Sequence, residues 1–531
     1  MSHLSAIGSA RARSLLAVVA GLVLASSVTL TAVASTSALT RYLVVFNGTY
    51  ALDGTYALGG NYALYHEYAL NIVKAAGGTV TTDLSKQIGV MVVESANSDL
   101  YALLSAYALV QEVGQDYSWQ GIERYALDGT YALAGDYALT GGYALDEGYA
   151  LVNGYALGEE GGSPETTTDP VEALQWDMAM IHAPQAHAKQ AGRPEVQVGV
   201  LDSGISGYHV DFQKGGVSNV DCALGHDSLA VLPLGVAVGS PDPCVDNQFH
   251  GTHVAGTIGA RENGVGVVGV APNITLVPVK VCDATGYCYA SSVLDGITYA
   301  GDKKLEVINM SFFVDDDAFQ TSTEFKCTTD PTQRAFRAAL ARALQYARSQ
   351  GVVAVAALGN ESKDLAHPVD DAGQPIQNAC KVVPAEVAGV VGTSALGPQS
   401  ELAGYSNWGT GAVDISAPGG NGTTGDCSTT ILSTLPGDAY GCIQGTSMAS
   451  PHVAGLAALI ESQYGSLGAD GDWKLDPTKV ESILQQSAID IGLSGYDACY
   501  GNGRIDAYRA VTGATSRATD SSVGACTGGG G

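Results

Sequence analysis

The run Val196-Gln197-Val198-Gly199-Val200-Leu201-Asp202-Ser203-Gly204 decides the fold. Its near-continuous apolar character is that of a strand buried on both faces, and such strands belong to parallel sheets with helices above and below. The strand ends on a carboxylate, at the edge where open α/β sheets collect their active residues. Taken alone, Asp202 is more simply a cap for the following turn. Working outward, helix-like and strand-like segments alternate from about Pro170: 196–201, 292–303, 305–310, 331–349, 352–357 and 447–460. That alternation predicts a doubly wound parallel α/β sheet across residues 166–512.

With 531 residues, 46% of them apolar, the chain has ample material for a large core. Its 53 acidic against 25 basic residues give a formal charge of -28. Such a surface repels phosphate backbones and anionic lipid, which excludes nucleic acid as a partner class. All ten cysteines lie beyond residue 200, and an even count suits a disulfide-bonded exported domain. Pairing between neighbours, such as Cys282 with Cys288 and Cys427 with Cys442, is one possibility among many. The absence of a Cys-x-x-Cys pair beside a spaced His pair points away from zinc.

Residues 1–34 carry Arg11 and Arg13, an apolar run from Leu15 to Ala25, and then Ala32-Val33-Ala34. This is the order of a secretory signal peptide, with a secreted, extracellular product and no membrane association after cleavage. The run is shorter than the ~20 residues of a membrane span, the competing reading. Residues 41–120 read as a small α+β unit: a strand at 41–46, a helix end at 71–76 closed by Gly77-Gly78, and a strand at 89–94. The tripeptide Tyr-Ala-Leu occurs twelve times between Tyr50 and Leu157. Its intervening triplets vary and the array is interrupted, which suggests low complexity rather than a solenoid. Residues 121–165 form an acidic repeat-containing linker where a precursor would be cut, and 513–531 a loose Gly-rich tail.

Two further motifs change the weight of Asp202. His250-Gly251-Thr252-His253-Val254-Ala255-Gly256-Thr257 would start a helix with its first imidazole facing the site, and it lacks the carboxylate of a His-Glu-x-x-His zinc pair. Gly445-Thr446-Ser447-Met448-Ala449-Ser450-Pro451-His452 would put a serine at a helix N-terminus, where free N–H groups can receive an oxyanion. A plain Ser N-cap is the simpler reading of that motif alone.

In the order Asp, His, Ser, the three motifs resemble the subtilisin-like serine proteases, one of several unrelated folds that carry such a triad, each in its own chain order. The resemblance runs from about Trp176 to Ala510. It implies that Asp202 orients the imidazole of His250, that His250 is general base and then acid, and that Ser447 is the nucleophile. His253 and His452 belong to the motifs without acting. Ala357-Leu358-Gly359-Asn360 resembles the segment supplying an amide to the oxyanion hole, so Asn360 is the implied donor. The unit at 41–120 is similar to the family's inhibitory propeptide, which would make it an intramolecular inhibitor of a self-processing precursor. Polypeptide substrates, a monomer, no organic cofactor and calcium as a structural ion of unassigned ligands are also implied. Where relatives follow Asn309-Met310-Ser311 with Leu and Gly, this chain has Phe312-Phe313-Val314 and then Asp315-Asp316-Asp317. Ser311, Phe312, Phe313, Ala357 and Leu358 are therefore expected to line a substrate pocket narrowed for small side chains. The competing reading, an adhesion protein displaying the repeats on an inactive scaffold, is countered by all four catalytic positions being present.

Overall fold

The computed structural model describes residues 39–47, 61–122, 151–152, 155–156, 169, 171–232, 238–314, 330–368, 375, 381–468, 471–514, 516 and 518–526. The signal-like segment, the acidic triplet 315–317 and nearly all of the linker lie outside them, as do Cys327 and Cys380. Among the described residues no helix is long and apolar enough to cross a membrane.

Seven parallel strands form the main sheet, in the order His226–Asp227, Thr275–Lys280, Gln197–Asp202, Val307–Met310, Val353–Ala357, Val390–Leu396, Ile415–Pro418. Alternate residues of each strand serve opposite faces. Val198, Val200, Val307, Val353 and Val355 enter one core with the helix Thr446–Tyr464. Leu201, Ile308, Met310, Ala354 and Ala356 enter the other, with the helices Ala290–Lys303 and Pro331–Ser349. Burial on both sides explains why the strands read as apolar runs rather than as alternating patterns. The sheet is therefore the expected doubly wound α/β sheet, and the strands His226–Asp227, Thr275–Lys280, Val390–Leu396 and Ile415–Pro418 extend it beyond the segments legible in sequence.

A second sheet precedes it, antiparallel and four-stranded, in the order Thr79–Leu84, Val90–Ser95, Thr40–Phe46, Val110–Gln115. It packs on the helix Pro331–Ser349. A Cβ on Gly114 would fall 2.6 Å from Thr332 Cα, so strand and helix touch backbone to backbone. Arg342 Nη1 donates to Phe46 O at 2.7 Å, and Arg334 pairs with Glu112 at 3.2 Å. The strand Ser118–Gln120 then pairs antiparallel with Tyr287–Tyr289, setting Trp119 opposite Cys288. Described copies of Tyr-Ala-Leu adopt different structures, helical at 101–103 and partly turn at 107–109, so they form no common repeating unit.

Eight cysteines pair as Cys222–Cys244, Cys282–Cys288, Cys427–Cys442 and Cys499–Cys526. Both neighbour pairings weighed in the sequence are among them.

Candidate active site

Asp202, Ser311 and Asn360 stand at or just beyond the C-terminal ends of three adjacent strands, whose register aligns Leu201 with Met310 and Met310 with Ala356. Asp202 is fully buried and its carboxylate faces His250 Nδ1, at 2.9 Å for Oδ1 and 3.0 Å for Oδ2. Ser203 N–H also donates to Oδ1 at 2.8 Å. The helix His250–Gly259 comes this close only because Gly251 has no side chain: a Cβ there would lie 2.1 Å from Gly204 O and 3.1 Å from Asp202 Cβ.

Ser447 is the second residue of the helix Thr446–Tyr464, among the N–H groups that a helix leaves without an internal partner. Pro451 lies four residues on and has no N–H to return to Ser447 O. Ser311 Oγ takes that place, donating to Ser447 O at 2.7 Å, while Ser447 Oγ donates to Ser311 O at 3.0 Å. Asn309 Nδ2 donates to Ser311 Oγ at 2.9 Å, and Ser450 Oγ donates to Asn309 Oδ1 at 2.7 Å. The serine helix is thus stitched to the strand Val307–Met310 beside the aspartate strand.

Asn360 Oδ1 accepts from both Thr446 N and Thr446 Oγ1 at 2.8 Å. Its Nδ2 is buried and has no hydrogen-bond partner. One end of the amide is anchored to the residue before Ser447 while the other end presents an unused donor.

The remaining motif histidines are framework. His253 is fully buried with Nε2 at 3.0 Å from Ile431 O, and burial, reinforced by His250, pushes it down to about 3, so it is neutral. His452 bridges Met448 O at 2.8 Å and Asp177 Oδ2 at 2.9 Å. Asp246 is a site residue the sequence reading did not single out. Its Oδ1 accepts from Gln248 N, Phe249 N and Ser203 Oγ, all at 2.9 Å, and its Oδ2 accepts from Thr252 N at 2.9 Å and Thr252 Oγ1 at 2.7 Å. An acid shortly before a helix start was the available signal.

Phe312 is 1% exposed, 6.4 Å between ring centroids from Trp119, and shares its cluster with Ala356 and Leu358. Ala357 is equally buried. The Phe313 ring passes beside Gly359, with Cδ2 3.3 Å from where a Cβ would stand. Phe312 therefore lies where the strand Ser118–Gln120 crosses the catalytic unit, and Phe313 lies beside the turn carrying Asn360. Among the described residues no group of three or more His, Cys, Asp or Glu side chains gathers as a metal site. Asp169 and Asp211 each keep one buried carboxylate oxygen, Oδ2 and Oδ1 respectively, without a hydrogen-bond partner.

The Subtilase family model matches residues 193–503, which contain all four candidate positions. Over 341 residues the chain is 33% identical to subtilisin E of Bacillus subtilis (strain 168), spanning 64% of this chain and 72% of that protein. It is also 33% identical to subtilisin of Bacillus pumilus, spanning 64% of this chain and 99% of that protein. In fold it resembles the epidermin leader peptide processing serine protease of Staphylococcus aureus, with a TM-score of 0.62, 22% identity, and 91% of this chain and 100% of that one covered. The chain belongs to the subtilase family and is a serine-type endopeptidase acting on polypeptides.

Proposed function

We propose that this endopeptidase works through Asp202, His250 and Ser447, with Asn360 as oxyanion donor, and that it is exported as a precursor inhibited by its own N-terminal unit. The observation that carries the site is the Asn360 amide: a buried donor left unpaired costs about 1–3 kcal/mol, and here it stands beside the proposed nucleophile.

The Ser447 hydroxyl turns from Ser311 O to His250, Oγ attacks the scissile carbonyl carbon, and its proton passes to His250. The carbonyl π electrons move onto oxygen, which is held by Asn360 Nδ2–H and Ser447 N–H. Asp202, paired with Nδ1, leaves Nε2 as the nitrogen that takes the serine proton and stabilises the imidazolium. Collapse of the tetrahedral intermediate breaks the C–N bond, and the amine leaves with the proton from His250. Water then attacks the acyl-enzyme, giving its proton to His250, and Ser447 Oγ departs with that proton as the carboxylic acid forms. No step needs an organic cofactor.

Precursor control is supported by the N-terminal unit's own contacts. Its strand Ser118–Gln120 pairs antiparallel with Tyr287–Tyr289 of the catalytic unit, as an extended peptide ligand would. The four paired disulfides suit an oxidising, extracellular destination.

The test is fluorophosphonate labelling of the secreted protein in a host lacking other proteases. The wild type should yield a labelled, shortened polypeptide, whereas Ser447→Ala should remain unlabelled and at precursor length. Labelling or normal maturation of Ser447→Ala would refute the assignment.

A further inference from the structure

Lys280 ends the strand Thr275–Lys280, directly opposite Asp202 in the parallel pair, and is 1% exposed. Its Nζ donates to three backbone carbonyls of one loop: Ser240 O at 2.9 Å, Asp242 O at 3.2 Å and Val245 O at 2.6 Å. Three bonds are all an ammonium can donate. The fit is close on every side. A Cβ on Gly204, the glycine two residues after Asp202 with φ +110°, would lie 2.8 Å from Lys280 Cε and 3.0 Å from both Pro243 O and Val245 O. The lysine stem, the turn after Asp202 and the loop at 240–245 therefore occupy one tight layer.

That loop runs directly into Asp246, whose carboxylate binds Gln248 N, Phe249 N and Thr252 on the way into the histidine helix and Ser203 Oγ after the aspartate strand. Ser203 Oγ in turn accepts from Gly251 N at 3.1 Å. A continuous chain of bonds thus leads from the Lys280 ammonium to both members of the Asp202–His250 pair. The disulfide Cys222–Cys244 fixes the loop at one residue, leaving the carbonyls on either side to Lys280. A buried charge is a weak source of net stability. The distinctive effect of this one is to set where a loop lies.

We propose that Lys280 is a positioning residue for catalysis, its ammonium acting as an internal cation that holds loop 240–245 where Asp246 can fix the Asp202–His250 geometry. The inference rests on the catalytic reading above and adds a residue that touches neither substrate nor the reacting atoms.

The test compares Lys280→Met, which keeps an unbranched stem but no charge or donor, with Lys280→Gln, which keeps amide donors. Precursors are trimmed in trans by tagged wild-type enzyme, which is then removed, and active sites are counted by fluorophosphonate titration. Misplaced catalytic groups should lower kcat per titrated site by about 10–100-fold in Lys280→Met at little change in KM, with Lys280→Gln between it and the wild type. Losses in the Lys280→Met/Asp246→Asn double variant should fall well short of additive, because both act along one chain. A melting temperature that falls while kcat stays within about twofold of wild type, or additive losses, would overturn the proposal. If Lys280→Met does not fold, the same cycle with Lys280→Gln and Asp246→Asn decides by the same criterion. Failure of the wild type itself to be labelled would overturn the catalytic reading together with this inference; a labelled wild type with a fully active Lys280 variant overturns this inference alone.

Discussion

Asn360 shows how a single side chain can be held and left unsatisfied at once. Thr446 saturates its oxygen with two bonds, which fixes the amide plane and leaves the buried nitrogen without a hydrogen-bond partner. A preorganised donor of this kind costs nothing to reorient when charge develops on the substrate. Asn360→Ala is therefore expected to fold and bind substrate normally while kcat falls by ~10²–10³. An unchanged kcat on a chromogenic peptide would remove Asn360 from the mechanism. The proposed role follows from the Ala357-Leu358-Gly359-Asn360 segment by resemblance. The part played by Pro451 was not, because a missing N–H acquires meaning only once Ser311 is seen filling its place.

At the scale of an element, the helix Thr446–Tyr464 carries a liability at its far end. Glu461 is fully buried and neither carboxyl oxygen has a hydrogen-bond partner. Burial, together with Glu306, raises Glu461 to about 9, and burial raises Glu306 to about 7. The folded state thus binds protons more tightly than the unfolded chain, so stability falls as pH rises. For Glu461 the loss begins near its ordinary value of 4.5 and is complete above about 9. Glu461→Gln should flatten the fall in melting temperature between pH 5 and 9, measured in a Ser447→Ala background to prevent autolysis. The gain at the alkaline end should be on the order of a few kcal/mol. Parallel curves for the two proteins would exclude Glu461 as the source. The sequence marks this residue as one polar position in an Ala- and Leu-rich helix, but only packing shows that it faces the core.

For the molecule as a whole, the relation between the N-terminal unit and the catalytic unit is set by a few anchors. Arg41, itself buried, faces Asp116 at 3.5 Å, and Asp116 Oδ1 accepts from Ser291 N at 2.9 Å at the start of the helix Ala290–Lys303. Trp119 is 3% exposed and lies against Phe336 at 5.4 Å between ring centroids. Truncating a buried tryptophan typically costs ~3–5 kcal/mol. Trp119→Ala in the full-length Ser447→Ala precursor should consequently speed amide hydrogen exchange at Tyr287–Tyr289 by at least about tenfold. Exchange that stays at the parent rate would show that the strand is held there by something other than this side chain.

By itself the sequence determined the sheet class, the three motifs around Asp202, His250 and Ser447 and their order, and two strands and one helix end of the N-terminal unit. Each of these is local: apolar runs, glycines at close approaches and turn residues follow from short-range sterics and periodicity. Only the tertiary structure decided the rest, because the answers depend on partners far away in the chain. It joined Ser311 to Ser447, turned Phe312 toward Trp119, and closed the Lys280 ammonium over a loop some forty residues earlier. A hydrogen bond is read from the distance between two atoms, and that distance exists only after the intervening chain has folded.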